Sequence, residues 1–337
     1  MTGWIKEVRE AVNTRLRRGL DSERDRLSRL GVEAVELVDA VAELTLRGGK
    51  RLRPAVLYAS YRAVRPQGSI EGVLEAAAGL ELLQTYLLIH DDWMDGDVER
   101  RGGPSVHTRF AERHRDERLG ASLGILAGNL ACTFSWTFFR RAAAEHPGVL
   151  DAVTAMHEEV LIGQQLDLLG SEDVARMHQL KTGSYTLRGP MRIGALLGDA
   201  APGQLAALDA VATPLGEAFQ IRDDLLGTFG DPEKTGKPTG GDLRAGKRTS
   251  LVAMAEAKLE PEELTPLRAV LGQPAATEAE LDSAVRLLVS RGVRAGLEAR
   301  LDELLERAEK ALDVDALGEP GTTMLSELAT LLAHRPT

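Results

Sequence analysis

Apolar residues along this chain recur every three or four positions. In LEARLDELLERAEKALDVDAL, residues Leu297, Leu301, Leu304 and Ala308 fall on one face with charge between them, which predicts an amphipathic helix. EGVLEAAAGLELLQTYLLIH, from Glu71 to His90, has the same period but is apolar around more of its circumference. It predicts a helix buried inside a bundle. Residues 121–144 and 150–169 predict two more long helices, and no segment alternates convincingly as a strand would. The expected fold is all-α, a helical bundle.

Turn residues punctuate this pattern at Arg65-Pro66-Gln67-Gly68, Arg101-Gly102-Gly103-Pro104 and Ala201-Pro202-Gly203. The longest polar interruption runs from Gly230 to Thr249. A connection of that length calls for a functional or disordered explanation. A further break near Gly272–Thr277 separates the last helices, but composition does not change across it. The expectation is one helical domain over residues 1–337.

Composition narrows the function classes. The 51 acidic residues exceed the 41 basic ones, a formal net charge of −10, which argues against a nucleic-acid binder. Cys132 is the only cysteine, so no disulfide or cysteine zinc cluster forms within the chain. Its apolar neighbours predict a buried, inert thiol. The first residues lack the apolar run of a signal peptide, and no stretch reads as a transmembrane segment. A cytoplasmic protein is expected.

The chemistry lies in acids and bases at particular spacings. Asp91, Asp92 and Asp95 follow an apolar run; Asp91 and Asp95, four apart, share a face on a helix and can reach the same ion. Asp223 and Asp224 end a second, mostly apolar stretch. Acids turned into water at a helix end are the plain alternative, but two such pairs reinforce each other. Carboxylates alone favour a hard cation such as magnesium. The basic residues are Lys50 and Arg53 in GGKRLRP, then Arg100 and Arg101, Lys181, Lys237 and Lys247. Lys50 and Arg53, three apart, would lie on one side of a helical turn, and Gly48 and Gly49 would let the backbone turn before them. A basic surface turn and local ion pairs with Asp95 and Asp97 are the competing readings. Metal-binding acids beside phosphate-binding bases predict a diphosphate substrate.

These segments resemble the trans-prenyl diphosphate synthases, the head-to-tail polyprenyl synthetase family. The resemblance rests on GGKRLRP, HDDWMDGDVERRGGPSVH, GQQLDL at 163–168, KTG at 181–183, FQIRDDLLGTFGD and TGKPTGGDLRAGKRT, in that order. It implies an all-helical fold around a deep central cavity, built as a homodimer. It implies magnesium, three ions when diphosphate is bound, with Asp91, Asp95 and Asp223 as ligands and Asp92 and Asp224 beside them. Asp167 lies near this chemistry in such enzymes. Arg100, Lys181, Lys237 and Lys247 would hold an allylic diphosphate; Lys50, Arg53, Arg101 and Gln84 would hold isopentenyl diphosphate. Thr182 and Gln220 would face the carbocation or the reacting double bond. One position departs from the family: Gly227 stands where an acid is usual, and Asp231 matches a loop position, so it is no replacement.

The implied reaction is ionisation, condensation and loss of a proton to the released diphosphate, so His90 is not assigned as base. It either positions Asp91 or packs as a satisfied histidine. Tyr86, five residues before Asp91, is the expected floor of the product tunnel, with Leu83 and Leu87 lining it. In the family, that pattern resembles synthases of C20 geranylgeranyl diphosphate, with C15 farnesyl or longer products as alternatives. A terpenoid cyclase-like enzyme, a noncatalytic subunit of a synthase heteromer and a helical scaffold are the other readings.

Overall fold

The structure is a computed structural model that describes residues 3–230, 240–312 and 314–333. The fold is all-α, and the chain forms two compact units, one of residues 1–153 with 192–200 and one of residues 154–191 with 201–337.

The first unit contains α1 (Gly3–Leu27), α2 (Val32–Leu46), α3 (Leu52–Val64), α4 (Glu71–Asp95), α5 (Val106–His114) and α6 (Glu117–Ala142). α7 (Gly148–Leu168) and α9 (Gly189–Leu197) each contribute residues to both units. α1 buries Ile5, Val8, Val12, Leu16 and Leu20, a stripe at three- and four-residue spacing. α4 is the apolar helix expected from 71–90 and is buried around much of its circumference. α6 approaches its neighbours closely because it presents small residues. A Cβ on Gly120 would lie 2.5 Å from the Ala111 nitrogen, and one on Gly128 would lie 2.3 Å from the His90 ring. Two strands of two residues, β1 (Glu99–Arg100) and β2 (Gly103–Pro104), pair antiparallel around the turn expected at 101–104. Arg101 and Gly102 take the left-handed conformations this tight turn requires. The pair is too short to show as an alternating pattern.

In the second unit, α8 (Val174–His178) runs into a π-helical segment, Gln179–Arg188, and α10 (Pro202–Phe229) is the long central helix. Then follow α11 (Gly241–Arg244), α12 (Ser250–Lys258), α13 (Thr265–Val270), α14 (Glu278–Ser290), α15 (Val293–Leu312) and α16 (Gly321–Ala333). α15 buries Leu297, Leu301, Leu304 and Ala308, the face its period predicts. Leu297, Leu301 and Leu304 join Leu225, Leu251, Leu281 and Leu288 in one core. Thr277, at the expected break, caps α14 in a reciprocal pair with Glu280.

α4 and α6 are long and apolar enough to cross a membrane by length and composition. More than half of the apolar window of α4 is buried within the protein, as in a core helix.

Candidate active site

In the first unit the acids sit on the last turns of α4, which stops at Asp95 where Gly96 turns left-handed. Successive residues on a helix rotate by about 100°. Asp92 therefore points to the core, at 0% exposure, while Asp91 is half-buried and Asp95 exposed. Asp91 and Asp95 lie one turn apart on one face. That turn is the negative end of the helix dipole and carries no basic residue. Two carboxylates at a negative helix end are a setting that favours a bound cation. Asp92 has a different task. Arg100 donates from Nε to Asp92 Oδ1 at 2.5 Å and from Nη2 to Asp97 Oδ2 at 2.8 Å. Burial raises the Asp92 carboxyl and Arg100 opposes it, for a net value of about 6. The ion-pairing alternative for Arg100 is thus realised, with Asp92 and Asp97.

The basic loop is built differently from its expected form. Gly48 and Gly49 have φ of 101° and 141°, so the turn before Lys50 does need glycine. α3 begins only at Leu52, however, and Arg51 is left-handed at φ 50°. Lys50 and Arg53 therefore do not share a helical turn, because Lys50 lies outside the helix. Pro54 falls in the first turn, where its missing N–H costs nothing. Arg51 turns inward and pairs with Glu81; the two side chains are 2% and 3% exposed. It also donates to Thr45 O at 2.7 Å and to Asn13 Oδ1 at 3.0 Å. Arg101, at the hairpin tip, donates to Gly48 O at 2.7 Å and so joins hairpin to loop. Burial lowers the Arg101 pKa; Glu81 opposes this, and Arg51, Arg53 and Arg100 add to it. Positive charge is concentrated here, as an anion site requires.

Farther along α4, Gln84 is half-buried, Leu83 buried and Leu87 half-buried. Tyr86 is 9% exposed and meets the His90 ring edge-on at 4.9 Å. His90 donates from Nε2 to Ile125 O at 3.2 Å, which makes it the satisfied packing histidine. Cys132 is half-buried, less than expected, and burial pushes its thiol up, consistent with low reactivity.

In the second unit Asp223 and Asp224 occupy the end of α10. The division of labour repeats: Asp223 is half-buried and Asp224 only 3% exposed. Asp224 accepts from Gln220 Nε2 and from the Ser250 N–H, each at 2.7 Å, and so holds the start of α12. Burial raises its carboxyl to about 6. Gln220 is committed to that bond and lines a cavity of about 880 Å³ with His178, Ser184, Gly216 and Met254. Lys181 and Thr182 are partly buried in the π-helical segment, where Lys181 Nζ pairs with Asp167 Oδ2. Gly163 of the GQQLDL motif permits this arrangement, since a Cβ there would lie 2.2 Å from the Lys181 nitrogen. Lys247 is exposed. Lys237 and Asp231 lie outside the described residues.

Comparison with known proteins decides the family. The model of the family described as Polyprenyl synthetase matches residues 35–288, three quarters of the chain. This chain belongs to the polyprenyl synthetase family. The short chain isoprenyl diphosphate synthase of Methanocaldococcus jannaschii is 34% identical over 261 residues, 75% of this chain and 76% of that protein. The geranylgeranyl diphosphate synthase of Methanosarcina mazei is 33% identical over 310 residues, 89% of this chain and 90% of the other. The crystal structure of geranylgeranyl pyrophosphate synthase from Corynebacterium glutamicum, complexed with isoprenyl diphosphate and magnesium, matches with a TM-score of 0.90. It is 34% identical and covers 98% of this chain and 99% of that one.

Does the donor set of this polyprenyl synthetase fit magnesium? Among the described residues, no three acidic, histidine or cysteine side chains form a closed cage. Magnesium needs none, because one or two carboxylates suffice when substrate phosphates and water complete its shell. Asp91 and Asp95, oxygen donors at a negative helix end, fit that role. Sequence reasoning missed Arg51, which reads there as one more base in a basic run. It also missed Arg47, which donates to Arg100 O at 2.9 Å and Pro104 O at 2.8 Å and anchors the hairpin. The π-helical segment around Lys181 has no signal in the sequence. Such widened turns occur often at functional sites.

Proposed function

We propose that this polyprenyl synthetase joins an allylic diphosphate to isopentenyl diphosphate and makes C20 geranylgeranyl diphosphate. One observation carries the reading. A single unit carries a carboxylate pair at the negative end of α4 and, separately, Arg53 near Arg101, which donates to the Gly48 carbonyl two residues before Lys50. Two sites of opposite charge suit two diphosphates, one reached through metal and one held by bases.

Asp91 and Asp95 are assigned to magnesium on the allylic diphosphate, Asp223 is likewise assigned to magnesium, and three ions are proposed. When bound, these ions supply charge neutralisation as the allylic carbon–oxygen bond breaks. Arg100, Lys181, Lys237 and Lys247 are assigned to the same diphosphate, and Lys50, Arg53, Arg101 and Gln84 to isopentenyl diphosphate. The allylic carbon bonds to the terminal alkene carbon of isopentenyl diphosphate, a proton leaves the neighbouring methylene, and a new double bond forms. The released diphosphate takes that proton; His90 is engaged with Ile125 O and is not needed as base. Thr182 and Gln220 are assigned to the reacting carbons. The buried Tyr86, with Leu83 and Leu87, supports a stop near C20. Relatives named as geranylfarnesyl and farnesyl diphosphate synthases, at 33% and 34% identity, keep the C25 and C15 products as the alternatives.

The chain is proposed to act as one domain over 1–337 and as a cytoplasmic homodimer. Exposed Leu119 and Leu126 on α6, at 40% and 51%, suit a partner helix better than water. The test is a product assay with magnesium, labelled isopentenyl diphosphate and, separately, C5, C10 and C15 allylic primers. The expected product is C20 diphosphate. Condensation to another length keeps the chemistry and rejects the Tyr86 floor. No condensation from folded protein favours a noncatalytic subunit, and a cyclic product a cyclase.

A further inference from the structure

Positions 223 and 227 of α10 are four apart and share one face, as Asp91 and Asp95 do on α4. Position 227 carries no side chain, yet its space is taken. A Cβ built on Gly227 would lie 1.7 Å from Oδ2 of Asp242 and 2.6 Å from its Cγ. No side chain fits at 227 while Asp242 stands there. The glycine and the loop acid are two parts of one arrangement.

Asp242 is held in that place. It is the second residue of α11, which Gly240 precedes as the cap residue with φ 73°. The Gly240 N–H donates to Thr228 O at 3.1 Å, tying the loop to the last turn of α10. Leu243 is fully buried, and its carbonyl accepts from Gly272 N at 3.0 Å. Arg244 donates to Ala276 O at 3.1 Å and to Glu278 at 2.7 Å. The Lys247 N–H closes the loop on Asp242 O at 3.0 Å.

We propose that Asp242 supplies the second carboxylate of the α10 metal set, delivered by the loop into the slot that Gly227 leaves open. This rests on the magnesium-dependent reading given above. A carboxylate in the side-chain space of residue 227 stands one turn beyond Asp223. There it faces an acid, at the negative end of a helix whose last turn carries no basic residue. The negative end of a helix dipole favours a divalent cation beside two carboxylates set one turn apart. The missing acid of the helix motif is then a change in where the carboxylate originates, and the number of carboxylates is kept.

The experiment compares wild type with Asp242→Asn, Gly227→Asp and the swap Gly227→Asp/Asp242→Gly. The readout is the magnesium concentration giving half of the rise in Tm at fixed inorganic diphosphate, with steady-state condensation alongside. Asp242→Asn is expected to raise that concentration about 10- to 100-fold, the usual cost of losing a metal-supporting carboxylate. Gly227→Asp alone meets the Asp242 carboxylate and is expected to lower the metal-free Tm. The swap returns a carboxylate from the helix and is expected to restore magnesium response to within about threefold of wild type, on the same scale. If Asp242→Asn does not fold, the swap decides. A magnesium response unchanged by Asp242→Asn, or a swap that folds without restoring it, overturns the proposal. A wild-type protein that shows no magnesium response overturns the functional reading and this proposal with it.

Discussion

Replacing Arg51 by methionine would remove one half of the enclosed ion pair with Glu81. Both side chains are almost wholly buried, at 2% and 3% exposure. Arg51→Met strands the Glu81 carboxylate in the core and also removes the bonds to Thr45 O and Asn13 Oδ1. An uncompensated buried charge costs about 3–5 kcal/mol, a large share of the roughly 5–15 kcal/mol that holds a typical protein folded. A fall in Tm on the order of 10 °C follows for a chain of this size. Glu81→Leu alone should cost about as much, because it strands the guanidinium instead. Arg51→Met/Glu81→Leu leaves neither charge and should recover most of the loss. Urea unfolding of the four proteins gives the cycle. Single variants each within about 1 kcal/mol of wild type, or a double variant as costly as the sum, would refute the reasoning. A second readout is KM for isopentenyl diphosphate. Arg51 sits between Lys50 and Arg53, so its loss should raise KM for isopentenyl diphosphate more than KM for the allylic primer.

Three further outcomes are expected. Gly163→Ala places a methyl 2.2 Å from the Lys181 backbone nitrogen, so it should lower Tm by forcing α7 from the π-helical segment, at about 1–3 kcal/mol, and cut condensation at least tenfold; an unchanged or raised Tm rejects this packing. Tyr86→Ala should cost about 3–5 kcal/mol and shift product analysis toward C25 or longer; a distribution that stays at C20 rejects the floor. Burial lowers the His178 imidazole from 6.5 to about 4, so the folded state binds fewer protons than the unfolded one between those values. Its share of stability is complete above about 6.5 and lost as pH falls to about 4, up to about 3 kcal/mol. In denaturant unfolding, wild type should lose that much relative to His178→Gln from pH 7 to pH 4. The raised carboxyls of Asp92 and Asp224 act in the opposite sense but are common to both proteins and cancel in the difference. A difference independent of pH rejects the burial argument.

Much of the site could be read in order along the chain, and the residues that could not share a feature. Asp91 and Asp95 were legible because helical period links residues four apart, and α4 runs through both. Gly48 and Gly49 were legible as a turn because positive φ favours glycine. Arg51 and Lys50 look alike in GGKRLRP, yet one is buried against Glu81, thirty residues on. Asp92 and Asp224 read only as acids beside the expected ligands, and what they do was not legible, because helix rotation sends them inward to Arg100 and to the Ser250 N–H. Gly227 reads as a loss from the motif, and only its contact with Asp242 shows what fills the gap.

The sequence by itself determined the helices, their apolar faces, and the presence of acids and bases suited to diphosphate. These follow from spacing along one helix and from residue chemistry, both local properties. The tertiary structure alone decided which of those charges are brought out for substrate and which are spent inside. That choice depends on burial and on partners distant in sequence, as Lys181 has in Asp167 and Arg101 in Gly48. A charge's task is set by the dielectric and the neighbours that folding gives it, and these form only when the chain closes on itself.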